Sequence, residues 1–200
     1  MNRTFKEALQ HRRSFYALGS EMLTNQQEIE EMIEFTLRYV PSAFNSKSTR
    51  IVLLMGNAHR IFWKIVKASI RPNVTEEEYS KSEKKIDLSF ASGYGTLLFF
   101  EDMNVVKSLQ DKYPLYADKF PLWAWQTSAM HQLALWCMLE DTGLGASLQH
   151  YNPLIDKAIK QHWTIPESWE LNAQMPFGYP PSLPGNKEDV VIEGSLMVYS

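Results

Sequence analysis

Four short runs bring together side chains able to hold an anion or a flat polar ligand. Arg12-Arg13-Ser14 places two guanidinium groups beside a hydroxyl, a donor set that neutralises and hydrogen-bonds a phosphate dianion. The same run also reads as a basic helix end that offsets the helix dipole. Pro41-Ser42-Ala43-Phe44-Asn45-Ser46-Lys47-Ser48-Thr49-Arg50 is dense in short polar side chains and suits a heterocycle that bears amides. Its plainer reading is a turn in which Asn and Ser bond their own backbone. Gly143-Leu144-Gly145 precedes the polar run Ser147-Leu148-Gln149-His150-Tyr151-Asn152-Pro153. Glycines permit close approach of a ligand to the main chain. A C-cap at Gly143 and a helix start at Asn152/Pro153 explain both ends of that run, but not Gln149–Tyr151. Pro184-Gly185-Asn186-Lys187 offers a further cation, Lys187, or a plain surface turn.

Other chemistries find little support. No Gly-x-Gly-x-x-Gly follows a strand and no phosphate-loop signature is present. The histidines, His11, His59, His131, His150 and His162, show no His-x-x-x-His spacing, so no metal is expected. Cys137 stands between Trp136 and Met138 in an apolar helix, where thiols are inert.

These runs need a scaffold, and 200 residues supply one. A chain of this mass buries roughly 24,000 Å² on folding, enough for a core without staples. The expectation is one domain over residues 1–200. A net charge of −3 argues against a nucleic-acid partner, and one cysteine excludes a disulfide framework. No apolar run approaches a bilayer span, and residues 1–14 lack the apolar stretch of a secretory signal. No membrane partner and a cytoplasmic location are expected. The 25 aromatic residues (10 Phe, 9 Tyr, 6 Trp) exceed what one small core readily holds, which points to a ligand slot or a subunit interface.

The pattern predicts a helix over 3–11 and another opened by a Thr24/Gln27 capping box and stopped by Pro41. Buried strands are expected at Arg50–Met55 and Gly95–Phe100, with an aromatic helix over 57–69 between them. Residues 71–82 read as a surface loop or helix entry. A helix from Pro121 to Asp141, apolar nearly all round, should be buried on most sides. A helix over Pro153–Gln161, a strand at Trp169–Phe177 and a last strand at Gly194–Tyr199 complete an α+β fold with a small helix-packed sheet.

Taken together, Arg12-Arg13-Ser14, Pro41-Ser42-x-x-Asn45 and Gly143-Leu144-Gly145 resemble the FMN-dependent nitroreductase family. The stretch Gly143–Pro153 (GLGASLQHYNP) resembles its short, fatty-acid-repression-mutant-like branch, as do His11–Tyr16, Trp125–Trp136 and Phe177-Gly178. The resemblance implies a nitroreductase-like fold, with a mostly antiparallel central sheet packed by helices on both faces, and an intertwined homodimer with FMN at the subunit interface. It assigns the phosphate and ribityl chain to Arg12, Arg13 and Ser14, with Lys187 completing the phosphate site. Ser42 and Asn45 would reach the flavin ring from the other subunit, and Leu144 and Gly145 would lie near it. Where the family usually carries Gln, two residues after the loop Asn, this chain has Lys47. That lysine either supports negative charge on the flavin or points into solvent.

The activity so implied is NAD(P)H-dependent reduction of flat electron-poor acceptors such as nitroaromatics or quinones, with hydride transfer through the flavin and no catalytic protein side chain. Phe44, Tyr94, Trp123 and Trp125 are candidates to stack with substrate or flavin, or are ordinary packing residues. The rival reading is an FMN-binding regulatory or oxidative-stress-response protein, linked to lipid metabolism, whose turnover is incidental.

Overall fold

The computed structural model describes residues 3–21, 23–188 and 190–199. Strands β1 (Thr49–Met55), β2 (Gly95–Asp102), β3 (Gly145–Ala146) and β4 (Trp169–Gly178) form one sheet in the order β1-β2-β4-β3. Every pairing is antiparallel. Around it lie α1 (Phe5–His11), α2 (Gln26–Tyr39), α3 (Gly56–Ile70), α4 (Glu76–Ser89), α5 (Met103–Lys112), α6 (Phe120–Asp141) and α7 (Asp156–Trp163). The class is α+β.

Alternation along the central strand explains why helices cover both faces. Leu98 and Phe100 pack with Phe62, Trp63 and Val66 of α3, Ile86 of α4 and Ile159 of α7. Leu97 and Phe99 point the other way, onto Ile29 and Ile33 of α2 and Leu135 and Leu139 of α6. A strand buried on both faces reads as an unbroken apolar run, which is what Leu97–Phe100 is. Many of the aromatic residues are core after all: Phe62, Trp63, Phe90, Phe99, Phe100 and Phe177 are fully buried.

Several expectations need correction. α2 starts at Gln26, because Asn25 rather than Thr24 caps it by accepting the Glu28 N–H. Thr24 instead donates its hydroxyl to the Glu28 carboxylate. β1 is an edge strand and mostly half-buried, since no strand pairs its outer side. A Thr75/Glu78 capping box turns much of 71–82 into the start of α4. α5, with its one fully buried residue Val106, gave too weak an apolar stripe to foresee. α6 is less enclosed than expected: Leu122, Met130 and Leu133 remain exposed. Gly194–Tyr199 forms no strand, for it pairs with none among the described residues, and Leu196–Tyr199 are 67–89% exposed.

Candidate functional site

The basic run leaves α1 at its C-cap, Arg12, whose N–H reaches the Ala8 carbonyl. The chain then joins the sheet: Ser14 bridges to Ala146 and the Phe15 N–H donates to the Ala146 carbonyl at 3.0 Å. Ala146 pairs with Phe177, and Phe177 with Gly95. Ser14, Ala146, Phe177 and Gly95 therefore form one row across the sheet, which brings Arg12–Ser14 and Leu144–Gly145 together. The Arg12 guanidinium lies 4.4 Å from the centre of the Trp136 ring. Trp136 Nε1 is buried without a hydrogen-bond partner among the described residues. Neither Arg12 nor Arg13 forms an ion pair among the described residues. Ser14 to Ala17 line a cavity of about 310 Å³ with Ser182 and Pro184, three residues before the exposed Lys187.

The glycines here serve packing. Gly143 ends α6 with φ 88°. A Cβ on Gly145 would sit 2.8 Å from Phe15 Cγ, so the missing side chain makes room for Phe15 rather than for a ligand. Leu144 is buried in the core, and its N–H donates to the Leu139 carbonyl at 3.0 Å. Gln149–Tyr151 is also scaffold. Gln149 and Gln174 exchange main-chain hydrogen bonds of 2.7 and 2.9 Å, and the Gln174 side chain accepts the Tyr151 N–H and donates to Asn152.

The second candidate region lies at the opposite end of the sheet. Gly95 and Glu101 are six residues apart on β2, roughly 20 Å at strand rise. There the loop turns through a 3₁₀ segment, Ala43–Asn45. Phe44, Asn45 and Lys47 have φ of 54°, 51° and 50°, the left-handed region. Such a conformation costs a non-glycine residue about 1–2 kcal/mol and persists only where the surroundings over-determine it. Ser42 is spent locally: its hydroxyl accepts the Lys47 N–H at 3.0 Å. The Asn45 N–H donates to the Ser42 carbonyl at 2.9 Å, while its side-chain amide makes no hydrogen bond among the described residues. Lys47 is exposed and lines a small cleft with Ser42, Thr49 and His131.

Of the aromatic candidates, Phe44 is half-exposed and stacks on Trp123 at 5.8 Å within a cluster of Tyr113, Tyr116 and Phe120. This cluster adjoins Asn45. Tyr94 sits at the far end of β2, edge-on to Phe177. Trp125 is half-buried in α6 and makes no ring contact among the described residues.

Beneath the loop lie groups that motif reading missed. Glu101 is fully buried, and its carboxylate accepts the hydroxyls of Ser48 and Thr49 at 2.6 Å each. Burial pushes its pKa up, while the two hydroxyls pull the other way. Next to it, Asp102 pairs with Arg50 at 3.0 Å, and Arg50 donates to the Lys47 carbonyl at 2.8 Å and the Thr49 carbonyl at 3.1 Å. His131 donates to the Thr127 carbonyl at 3.0 Å, and burial holds its pKa down. The acidic pair was visible in sequence only as a strand end, where carboxylates are normally solvated.

No strong nucleophile or base appears among these groups. Burial pushes the Cys137 thiol up. His59 is enclosed by Thr96 Oγ1 at 2.9 Å and the Ala91 carbonyl at 3.2 Å, and burial lowers its pKa to about 4. No cluster of His, Cys, Asp and Glu able to hold a metal ion occurs among the described residues. No described helix is long and apolar enough to cross a membrane.

Comparison with known proteins gives this architecture a place. Residues 9–179 match the model of the Nitroreductase family. The chain is 32% identical to the nitroreductase FRM2 of Saccharomyces cerevisiae over 98% of this chain and 96% of that protein. A second yeast relative, HBN1, is 35% identical over 92% of each chain. Nitroreductase CinD from Lactococcus lactis, solved in complex with chloramphenicol, superposes with TM-score 0.89 at 38% identity, covering 98% of this chain and all of that one. A nitroreductase from Desulfitobacterium hafniense with bound FMN shares the fold at TM-score 0.71 and 11% identity. The chain belongs to the nitroreductase family.

Proposed function

We propose that this chain is an FMN-dependent NAD(P)H oxidoreductase of nitroreductase or quinone-reductase type, a single cytoplasmic domain over residues 1–200 that works as a homodimer. The observation that carries the reading is a donor set without a counter-charge. Among the described residues Arg12 and Arg13 form no ion pair; they precede Ser14 in sequence, and the Trp136 ring under Arg12 has an Nε1 with no hydrogen-bond partner. That set suits a phosphate dianion and the hydroxyls of a ribityl chain. Lys187, three residues from Pro184, which lines a cavity with Ser14, would add a further cation. FMN is the group that fits: Arg12, Arg13 and Ser14 would hold its phosphate and ribityl chain, and when bound it would supply ping-pong redox chemistry between the nicotinamide and the acceptor.

The protein's part is binding and orientation. Ser42 holds the loop main chain through Lys47, so Asn45 and Lys47 would be the groups offered to the flavin ring. Because this loop and the Arg12–Ser14 run sit at opposite ends of one sheet, a complete site needs the loop of a second copy. The surface supports pairing. Its 11893 Å² exceeds the ~9,700 Å² of a compact monomer of this mass. An apolar groove of about 460 Å³ between α1, α2 and α6 lies open, lined by Phe35, Tyr39 and Met138 among others. Leu196–Tyr199 would then pack on the partner rather than pair within the chain.

CinD has been solved with 4-nitrophenol and with nicotinic acid as well as chloramphenicol. Two of these carry a nitrophenyl ring, and the third resembles the nicotinamide head group. By analogy, the acceptor here is a flat nitroaromatic or quinone, with Phe44 and its cluster beside the slot. Purified protein should be yellow and should oxidise NADH or NADPH rapidly only when such an acceptor is added. A chain that retains no FMN overturns the reading. Bound FMN with slow, acceptor-independent oxidation would instead favour the regulatory alternative.

A further inference from the structure

Two consecutive residues of β2 grip the Ser42–Arg50 loop from opposite faces. Glu101 takes the Ser48 and Thr49 hydroxyls on the buried side. Asp102, on the other side, holds Arg50, which in turn donates to the Lys47 and Thr49 carbonyls. The Asp102 N–H completes the grip by donating to the Ser48 carbonyl at 2.9 Å. A fully buried carboxylate is a costly way to end a strand, since the charge loses its water and an apolar or amide residue would pack there more cheaply. Just before these contacts stand the left-handed Phe44, Asn45 and Lys47, a conformation that persists only where its surroundings over-determine it.

We propose that Glu101 is a positioning residue of the flavin site: through Ser48 and Thr49 it locks Ser42–Lys47 in the left-handed turn that presents Asn45 and Lys47 to the ring. The inference rests on the FMN reading above and adds to it which side chain holds the ring-binding loop in shape. Glu101 touches neither flavin nor substrate. It acts only through the loop.

The test uses the full chain and Glu101→Gln, which keeps the shape and removes the charged acceptor. In cofactor-free protein, amide hydrogen exchange of residues 43–48 should rise about tenfold, with the α6 amides unchanged. FMN should bind about tenfold more weakly. In a double-mutant cycle with Lys47→Gln, the two effects on the flavin midpoint potential should be non-additive, because Glu101 acts through the placement of residue 47. If Glu101→Gln fails to fold, Thr49→Val should reproduce the exchange and binding effects and Thr49→Ser should restore them. Unchanged loop exchange, or strictly additive potentials, overturns the proposal. A wild-type chain that binds no FMN overturns the functional reading instead, while the exchange measurement still decides whether Glu101 sets the loop.

Discussion

The two ends of β2 are held by different means. At Gly95–Thr96 the candidate phosphate region hangs on main-chain pairing, with Ser14, Ala146, Phe177 and Gly95 side by side across the sheet. The side chains behind that end close on themselves: His59 contacts Thr96, and the Trp63 Nε1–H donates to the same hydroxyl at 3.0 Å. At Glu101–Asp102 the main-chain pairing stops at Ser48 and Thr49, and beyond it the candidate ring-binding loop leans on side-chain contacts from Ser42 and Arg50 and is bent through left-handed residues. A ladder places a residue whatever its side chain is. A strained loop keeps its shape only while a few named contacts survive. The first region should therefore tolerate substitution structurally and fail only in binding, whereas the second should lose shape and binding together.

The largest expected effect breaks the first region chemically without moving it. Replacing both Arg12 and Arg13 by Ala removes the candidate phosphate donors but leaves the Phe15–Ala146 hydrogen bond in place. Hydrogen bonds to charged groups contribute about 1.5–3 kcal/mol each, so FMN affinity should fall by about 10²–10⁴-fold. Fluorescence titration of FMN reads the affinity, and the melting temperature of the cofactor-free protein should stay near that of the wild type. A collapse in melting temperature would show that these arginines hold the fold and that the ladder does not.

A second test sets the two ends against each other in pH. Burial lowers the His59 pKa from 6.5 to about 4, so the unfolded chain takes up a proton there that the folded chain refuses. Stability from this residue is complete above pH 6.5 and is lost as pH falls toward 4, up to about 3 kcal/mol. Glu101 has the opposite sign. Its folded pKa is raised, so its contribution is complete below the ordinary carboxylate value and declines as pH rises through the folded one. His59→Gln should flatten the acid limb of the stability profile. Glu101→Gln should make the protein no less stable at neutral pH, even as the loop loosens. Arg50 and Asp102, the charged groups acting on Glu101, stay unchanged in that variant, as does His131 beside Thr49. Denaturant unfolding between pH 4 and 8 measures both slopes, and an unchanged acid limb in His59→Gln would remove this residue from the account.

What could be read in the sequence follows the same division. The ladder-held region was legible because its elements obey strong local rules: an unbroken apolar run at Leu97–Phe100, a long breaker-free helix to Asp141, a glycine at the C-cap. The paired contacts were not, since nothing in the spacing says that Ser14 meets Ala146 or that Gln149 meets Gln174. At the other end Ser42, Asn45 and Lys47 stood out by type, but the left-handed backbone did not, because Phe and Lys rarely adopt it. Glu101 was hidden for a related reason: a carboxylate ending a strand carries no sign of burial until Ser48 and Thr49 are folded over it. The C-terminal Gly194–Tyr199 failed in the reverse sense, with strand-forming residues that find no strand within the chain.

The smallest effect is the most discriminating about the loop. Lys47 has its N–H fixed by Ser42, while its side chain is exposed. If the ammonium reaches the pyrimidine edge of bound FMN, it favours the reduced state, which carries more negative charge, and Lys47→Gln should lower the midpoint potential. Water screens an exposed charge, so the change in relative affinity for the two oxidation states should be only about twofold to fivefold. For a two-electron couple that is ~10–20 mV. The shift should shrink as salt rises, because screening shortens the reach of an exposed charge. Melting temperature should not move, since the Ser42 contact uses the main chain. An unchanged potential at low salt would place the ammonium in solvent and leave Lys47 with a purely backbone role, narrowing what the loop offers the ring to Asn45.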